Sequence, residues 1–567
     1  MPPADASAPG RSTAAREPAG ADPSSVALGD TEPPSAGSTA SARHVRGSTL
    51  LLLGRVIATV VNFLVQVLIV RYLSTGAYGA FAYALSLVTF GETLVTLGID
   101  RAVGRFLPIY QERGEWSKLF GTIAFVGGTI VSLGLVLIVL VVGLAGTVGP
   151  AVVRDELAVS LIVILVVLAP LQAADAMFAN VLAVFASPRA IFLRRFVLSP
   201  FLRLSVVGLL VVGQFDVSFL AAGYVVTGAI GVVLYAYLLF GVLSQQGLLA
   251  RLEIRRLDLP AREILLYTIP LLTTDLVFLF MNTTDAILLG AFHGVDEVGA
   301  WRVVQPLGGL NQLVLGSFTL LFVPAASRLF ARRANEEMRD LYWQTAIWMA
   351  VATFPIFVVT FALADPLTVL LYDERYAASG LLLSLLALGR YVDVVLGFNG
   401  LTLRVFGDMR AIVIVNIFAA ATNLTLNLLL IPRLGALGAA IGTATTLILY
   451  NVAKQVALAR VTAIPAFETR YLRVYLAIVV AAGAVFLLQV LVAPPLPVGM
   501  TAAAASAVLV ALASREHLRM AQTFPELQRL PFARLLIGRP RNDGARANDR
   551  PLPPDPVDRT GPGDPPG

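Results

Sequence analysis

The 567-residue chain contains no cysteine, which excludes a disulfide framework, a thiolate nucleophile and any cysteine-ligated metal centre. Its three histidines, His44, His293 and His517, lie far apart in sequence, so a histidine-based metal site is not expected either. Only two lysines occur, Lys118 and Lys454, among 42 basic residues. Neither stands in a G-x-x-x-x-G-K-[ST] motif, so there is no P-loop to cradle nucleotide phosphates. Charge is scarce: Asp, Glu, Lys and Arg make up 14% of residues, where a soluble domain carries about 25%.

Hydrophobic residues fill that space. They make up 57% of the chain, and mean hydropathy is +0.79. Such a sequence has too little polar surface to cover itself in water, which excludes an ordinary soluble enzyme and a disordered chain alike. Fourteen apolar segments follow one another, roughly at 48–70, 77–99, 119–145, 157–186, 196–213, 217–243, 264–291, 298–325, 341–364, 379–403, 411–431, 436–458, 471–493 and 498–514. Most reach the ~20 residues a spanning helix needs. The second, eighth and tenth carry several polar residues and are expected to face protein or water rather than lipid.

The net charge of +6 reads as membrane topology rather than as nucleic-acid binding. With the N-terminus inside, loops after even-numbered spans hold nineteen basic residues and loops after odd-numbered spans four, so both termini are expected to be cytoplasmic. The longest outer loop, around Asp365 to Ser379, has about fifteen residues, too few for an extramembrane catalytic domain, so no enzyme is expected. Residues 1–46 and 515–567 read as cytoplasmic tails, mostly disordered. The segment REHLRMAQTFPELQRLPFARLLIGR at 515–539 is either a basic membrane-surface stretch or a solvated tail interrupted by Pro525 and Pro531.

The first six spans resemble spans seven to twelve. VFASPRAI at 184–191 matches VFGDMRAI at 405–412, an offset of 221 residues. YGAF at 78–81 matches VGAW at 298–301, FLP at 106–108 matches FVP at 322–324, and Gly223 with Tyr235 matches Gly438 with Tyr450. An even number of spans per repeat gives both halves the same orientation, as in transporters with parallel repeats. The expected organisation is a first six-helix bundle at 47–243, a cytoplasmic linker at 244–263, a second bundle at 264–460 and two extra helices at 461–514. Pro108 and Pro324, at matching points of the repeat, are expected to end their helices.

RYLSTGAYGAFAYALSLV at Arg71–Val88, followed by LGIDRAVGRFLPIYQERG at Leu97–Gly114, resembles the polysaccharide-biosynthesis, or oligosaccharide flippase, family. That family includes Wzx-type exporters and belongs to the multidrug/oligosaccharidyl-lipid/polysaccharide (MOP) superfamily. The local signature is Arg71, Leu73, Tyr78 and Gly79, and the resemblance covers about residues 45–514. It implies an all-α integral membrane protein of about 14 transmembrane helices, two pseudo-symmetric six-helix bundles plus two C-terminal helices, in the plasma membrane. It further implies alternating-access transfer of a polyprenyl-diphosphate-linked glycan to the outer leaflet, with membrane lipids and glycan polymerase or ligase machinery as partners, no nucleic acid, and no cofactor beyond H+ or Na+ coupling. A lipid II flippase and a cation-coupled multidrug antiporter share the superfamily.

A diphosphate in a low-dielectric layer needs cations, and the planar arginine fork suits phosphate. Arg55, Arg203, Arg302 and Arg390 fall inside apolar segments. Each is a phosphate ligand or a member of an ion pair, and Arg203 is within reach of the interface by snorkelling. Similar flippases carry cavity arginines on the first and eighth spans, which points to Arg55 and Arg302. Glu92, Asp175, Asp275, Asp285 and Asp393 are intramembrane acids. Glu92, Asp275, Asp285 and Asp393, with Asn282 beside them, are candidates for proton or sodium coupling; the alternative is neutralisation of arginines, Glu92 with Arg55 and Asp393 with Arg390. Asn416, Asn423 and Asn427 form one helical stripe. Asn416 and Asn423 are candidates for sugar hydroxyls, or all three serve to pack helices.

Overall fold

In the computed structural model, residues 36–147, 155–185, 192–253 and 257–518 are described, with side chains from residue 54 onward except 270, 271, 273–276, 278, 281, 282 and 320. The expected tails therefore lie largely outside the described residues. The described residues from 50 to 518 belong to one compact unit, and those from 36 to 49 are helical. The described residues are mostly helical, and among them there is no strand. That outcome follows from the solvent: a backbone crossing hydrocarbon has no water to bond, and a helix satisfies its own N–H and C=O groups.

All fourteen apolar segments fall on helices. The first half comprises α1 (Ala36–Tyr72), α2 (Thr75–Thr96), α3 (Asp100–Arg113), α4 (Trp116–Ala145), α5 (Glu156–Leu165), α6 (Leu168–Val184), a π-helical turn at Phe192–Leu198, α7 (Ser199–Val212) and α8 (Val217–Gln245). The second half comprises α9 (Ala261–Phe292), α10 (Val295–Arg302), α11 (Gln305–Gly308), α12 (Asn311–Ala331), α13 (Asn335–Ala362), α14 (Ala364–Tyr372), α15 (Ser379–Val395), α16 (Phe398–Val405), α17 (Met409–Leu434) and α18 (Ala436–Val461), followed by α19 (Leu472–Val492) and α20 (Leu496–Leu518). Twelve helices among the described residues are long and apolar enough to cross a membrane, or thirteen if a bent pair is one span.

Local chemistry sets the boundaries. Ser74, Asp155, Asp216 and Asp408 each accept a hydrogen bond from the backbone N–H three residues on, capping α2, α5, α8 and α17. Leu97 and Gly98 both take positive φ, and the chain turns there from α2 into α3.

The eighth apolar segment is broken rather than continuous. It runs through α10, α11 and α12, and α12 bends by 41° between Asn311–Thr319 and Leu321–Ala331. Pro324 lies in the second part of that bend, where its ring removes the hydrogen bond to the carbonyl four residues back. Pro108 and Pro324 do not end their helices, contrary to the sequence expectation; both sit inside them, in α3 and α12. The neighbouring turns continue the helix past the missing N–H.

Three large apolar cores and a small fourth, around Val415, Ala419 and Tyr450, hold the unit together. One, around Leu107, Leu119, Met177 and Tyr235, joins α2–α4, α6 and α8. Another, around Trp343, Phe354, Tyr391 and Val474, joins α12, α13, α15, α16 and α18 to α19 and α20. The third contains Tyr78, Phe81, Trp301 and Leu386 and brings α1 and α2 against α9, α10 and α15. Outward faces remain apolar, as in Val131, Val139 and Val233, because lipid rather than water covers them.

Candidate functional site

A cavity of about 450 Å³ opens where helices of the two halves meet. Asn62 and Gln66 of α1, Tyr78 and Ser86 of α2, Arg203 of α7, Tyr224 of α8, Thr283 of α9, Arg302 of α10 and Gln305 of α11 line it. Arg302 ends the short helix α10, where a cation suits the carbonyl end of the helix dipole. Its neighbour Trp301 is fully buried and anchors that end in the core.

Asp285, only 4% exposed, supports this corner. It accepts a hydrogen bond from the indole of Trp301, another from the backbone of Ala286 at 2.7 Å, and lies 3.7 Å from the Arg302 guanidinium. Gln66 donates to the Tyr78 hydroxyl at 3.2 Å and spans to the Val303 carbonyl across the interface.

Arg203 and Tyr224 also line an adjoining space of about 230 Å³ within the first half, with Glu92, Asp175, Arg194 and Arg195. The Arg203 guanidinium sits 5.4 Å from the Tyr224 ring centroid. Arg203 is thus a cavity residue, where the sequence suggested an interfacial one. The buried Arg194 pairs with Asp175 at 2.7 Å and lies over the Tyr235 ring.

The second half holds its own polar space of about 260 Å³, lined by Gln312, Arg390, Asp393, Arg404, Asn416, Asn423, Thr443, Tyr450 and Lys454, among others. Asp393 accepts from the Asn451 amide at 2.8 Å and from Gln312 at 3.5 Å. The Tyr450 hydroxyl donates to Asn416 at 2.8 Å, and Lys454 Nζ lies 3.4 Å from the Tyr450 ring centroid. Asn427 donates to Asn423 at 3.2 Å, so the asparagine stripe is one buried face.

The structure thus brings Arg302 to the interface cavity, Glu92 to the first-half pocket, and Arg390, Asp393, Asn416 and Asn423 to the second-half pocket. Neither anticipated ion pair forms: Asp393 bonds amides instead of Arg390, and Glu92 does not pair with Arg55. Arg55 is exposed and joins none of these three spaces; its guanidinium faces Gly316 of α12, 3.5 Å from where a Cβ would stand. The side chains of Asp275 and Asn282 lie outside the described residues. Sequence reasoning passed over Arg404 and Lys454 as site residues. The signal for Lys454 was present, a lone lysine one helical turn after a tyrosine in an apolar run. Among the described residues, no cluster of three or more His, Cys, Asp or Glu side chains could hold a metal.

Two arginines bridge the two halves reciprocally. Arg71, at the end of α1, donates from Nε to the Leu371 carbonyl at 2.8 Å and from its terminal nitrogen to Leu370, both at the end of α14. Arg375, just past α14, donates to the carbonyls of Leu73, Val70 and Arg71 at 2.8, 2.7 and 2.8 Å. Each arginine satisfies carbonyls that a helix end leaves without partners. Tyr78 and Tyr376 meet edge to face beneath the clasp, and burial pushes the Tyr376 hydroxyl up to about 12. The clasp and its surroundings contain Arg71, Leu73, Tyr78 and Gly79, the residues that stood out in the sequence.

A model of the polysaccharide biosynthesis protein family matches residues 44–330, just over half of the chain, and a MatE model matches residues 270–429. An uncharacterised membrane protein of Methanocaldococcus jannaschii is 21% identical over 416 residues, covering 71% of this chain and 81% of that protein. Among solved structures, a lipid II flippase, MurJ, in an inward closed conformation superposes with a TM-score of 0.61 at 13% identity, covering 85% of this chain and 99% of that one. An inward-facing multidrug resistance MATE transporter of the MOP superfamily gives 0.56 at 14% identity, covering 71% and 95%. These likenesses establish the fold.

Proposed function

This chain belongs to the polysaccharide biosynthesis protein family, within the MOP superfamily of membrane flippases and transporters, and on that premise we propose that it moves a polyprenyl-diphosphate-linked oligosaccharide from the inner to the outer leaflet. The observation that carries the reading is the interface cavity with Arg302 and Arg203 set among amide and hydroxyl groups. A diphosphate entering it exchanges water for fixed guanidinium forks, each charged hydrogen bond worth about 1.5–3 kcal/mol. Asp285 holds Arg302 in place and tempers its charge, so the anion binds without being trapped.

Alternating access then requires the clasped end to part while the other closes. In the plasma membrane, with both termini cytoplasmic as the arginine distribution favours, the Arg71–Arg375 clasp is the outer gate. Glu92 and Asp393, which line pockets of opposite halves, are our candidates for coupling opening to H+ or Na+. Released glycan passes to polymerase or ligase machinery on the outer side.

The test is made in cells lacking the protein. Build-up of a polyprenyl-diphosphate glycan on the inner leaflet, with loss of surface polysaccharide, supports the reading and identifies the substrate by mass. Restoration by the wild type but not by Arg302→Gln ties it to the cavity. The MatE match to residues 270–429 favours a second reading, a cation-coupled drug antiporter. No build-up, together with altered sensitivity to organic cations, would move the assignment there.

A further inference from the structure

The pocket in the second half carries an excess of positive charge that diphosphate binding at the interface leaves unused. Resting on the flippase reading, we infer that this pocket is a second oxyanion site, one that takes a carboxylate or phosphate group carried on the glycan beyond the diphosphate.

Three cations line it, Arg390, Arg404 and Lys454, against one carboxylate, Asp393. That carboxylate is engaged by the amides of Asn451 and Gln312, and among the described residues none of the three cations forms an ion pair with it. Their charge is available to a ligand. The lysine head is placed rather than tethered loosely: it sits 3.4 Å from the Tyr450 ring centroid, and that ring is fixed by its hydroxyl bond to Asn416.

Among the described residues that line this pocket, two carry a buried polar atom without a hydrogen-bond partner, Arg390 Nε and Thr443 Oγ1. Thr443 is only 9% exposed and lines the pocket. A buried donor without a partner is destabilising, and an oxyanion entering the pocket would accept from it. Gly400 keeps the space open, since a Cβ there would already touch the Lys454 stem at 3.6 Å.

The two spaces are close enough for one ligand to occupy both. Gln305 lines the interface cavity and Gln312 the second-half pocket. They are seven residues apart on either side of the α11–α12 joint, so their backbones are separated by at most about 25 Å, within the span of an oligosaccharide. A diphosphate held by Arg302 whose sugars extend towards Gln312 would bring an acidic sugar among them to the three cations.

The experiment uses the full-length protein in phosphatidylcholine nanodiscs, titrated separately with trigalacturonate, uncharged maltotriose, inorganic phosphate and pyrophosphate. Trigalacturonate is expected to bind at least tenfold tighter than maltotriose, with affinity falling as salt rises. Lys454→Gln with Arg390→Gln should weaken it at least tenfold while leaving pyrophosphate unchanged, and Arg302→Gln should do the reverse. Gly400→Leu, which fills the pocket without altering its charge, should also abolish trigalacturonate binding and covers the case in which the double variant does not fold. Inorganic phosphate bound with the same sensitivity, and trigalacturonate not bound, would keep the oxyanion site and assign it to the free ion instead of a sugar. Equal binding of charged and neutral trisaccharide with no phosphate binding, or oxyanion binding untouched by both sets of substitutions, would overturn the inference. Pyrophosphate binding that ignores Arg302→Gln would instead count against the diphosphate reading of the interface cavity.

Discussion

Gly79 and Gly299, paired by the internal repeat at an offset of 220 residues, touch one another: the Gly79 Cα lies 3.1 Å from where a Cβ on Gly299 would stand. Equivalent positions of two parallel repeats meet only on the axis that relates them, so this contact marks that axis. The same offset relates Ser74 and Gly294, which precede the first residues of α2 and α10. The two helices start at matching points and cross at their glycines.

Gly79→Ala would drive a methyl group into the Val295 carbonyl, which is backbone and cannot turn aside. It is expected to cost the packed state about 1–3 kcal/mol, the usual range for overpacking. Gly299→Ala, whose nearest neighbour is at 3.1 Å, should cost less. Gly104→Ala, in α3 with nothing within 4 Å, should be neutral or stabilising by up to about 1 kcal/mol. Thermal unfolding of the three detergent-purified variants checks the ranking.

The clasp predicts a conformational effect rather than a loss of folding. The chain has no cysteine, so Ile69→Cys gives a single thiol on the cavity wall beneath the clasp. Arg71→Ala with Arg375→Ala removes five charged hydrogen bonds from that end. Labelling of the introduced thiol by an impermeant maleimide applied outside cells is expected to rise at least tenfold. Labelling unchanged from the intact clasp would mean that these arginines do not hold the gate.

Asp285 tempers the charge of Arg302, and the sign of its removal is definite. Asp285→Asn leaves Trp301 an acceptor but deletes a negative charge 3.7 Å from the guanidinium. At a few ångströms in a partly buried site, one charge is worth about 2–4 kcal/mol. Pyrophosphate is therefore expected to bind at least tenfold tighter by calorimetry. Turnover should fall with it, because a ligand held more tightly leaves more slowly.

Asp393 makes the opposite point about stability. Its partner is Asn451, so Asn451→Ala should destabilise the protein by about 1.5–3 kcal/mol, the value of a hydrogen bond to a charged group. Arg390→Gln, which breaks no ion pair, should stay within about 0.5 kcal/mol of wild type. Unfolding midpoints of the two variants distinguish this arrangement from the pairing that sequence spacing suggests.

That contrast shows where the sequence could be read. The helices were legible because lipid imposes long apolar runs and backbone self-sufficiency on every span, and the repeat survived in short motifs such as VFASPRAI and VFGDMRAI. The breaks were not. The joints of α10, α11 and α12 lie inside one apolar stretch whose composition does not mark them. Arg302 and Arg390 could be picked out as charges among hydrophobic neighbours, yet their partners could not. Asp285 reaches Arg302 from another helix, and Asn451 reaches Asp393 across 58 residues. Proximity in sequence suggested Arg390 for Asp393, but at three residues' separation the arginine points its head elsewhere while an amide from α18 fills the place.

The Arg71–Arg375 clasp has one further consequence, for how related sequences can drift. Every acceptor in it is a main-chain carbonyl, at positions 70, 71, 73, 370 and 371. Any residue supplies a carbonyl, so those positions are free to vary in side chain without loosening the joint. Only the two guanidinium groups must persist, and lysine, with no planar fork, is no substitute. Paired changes across this joint would leave no trace in an alignment, and a search for co-varying positions would pass over one of the contacts that join the two halves.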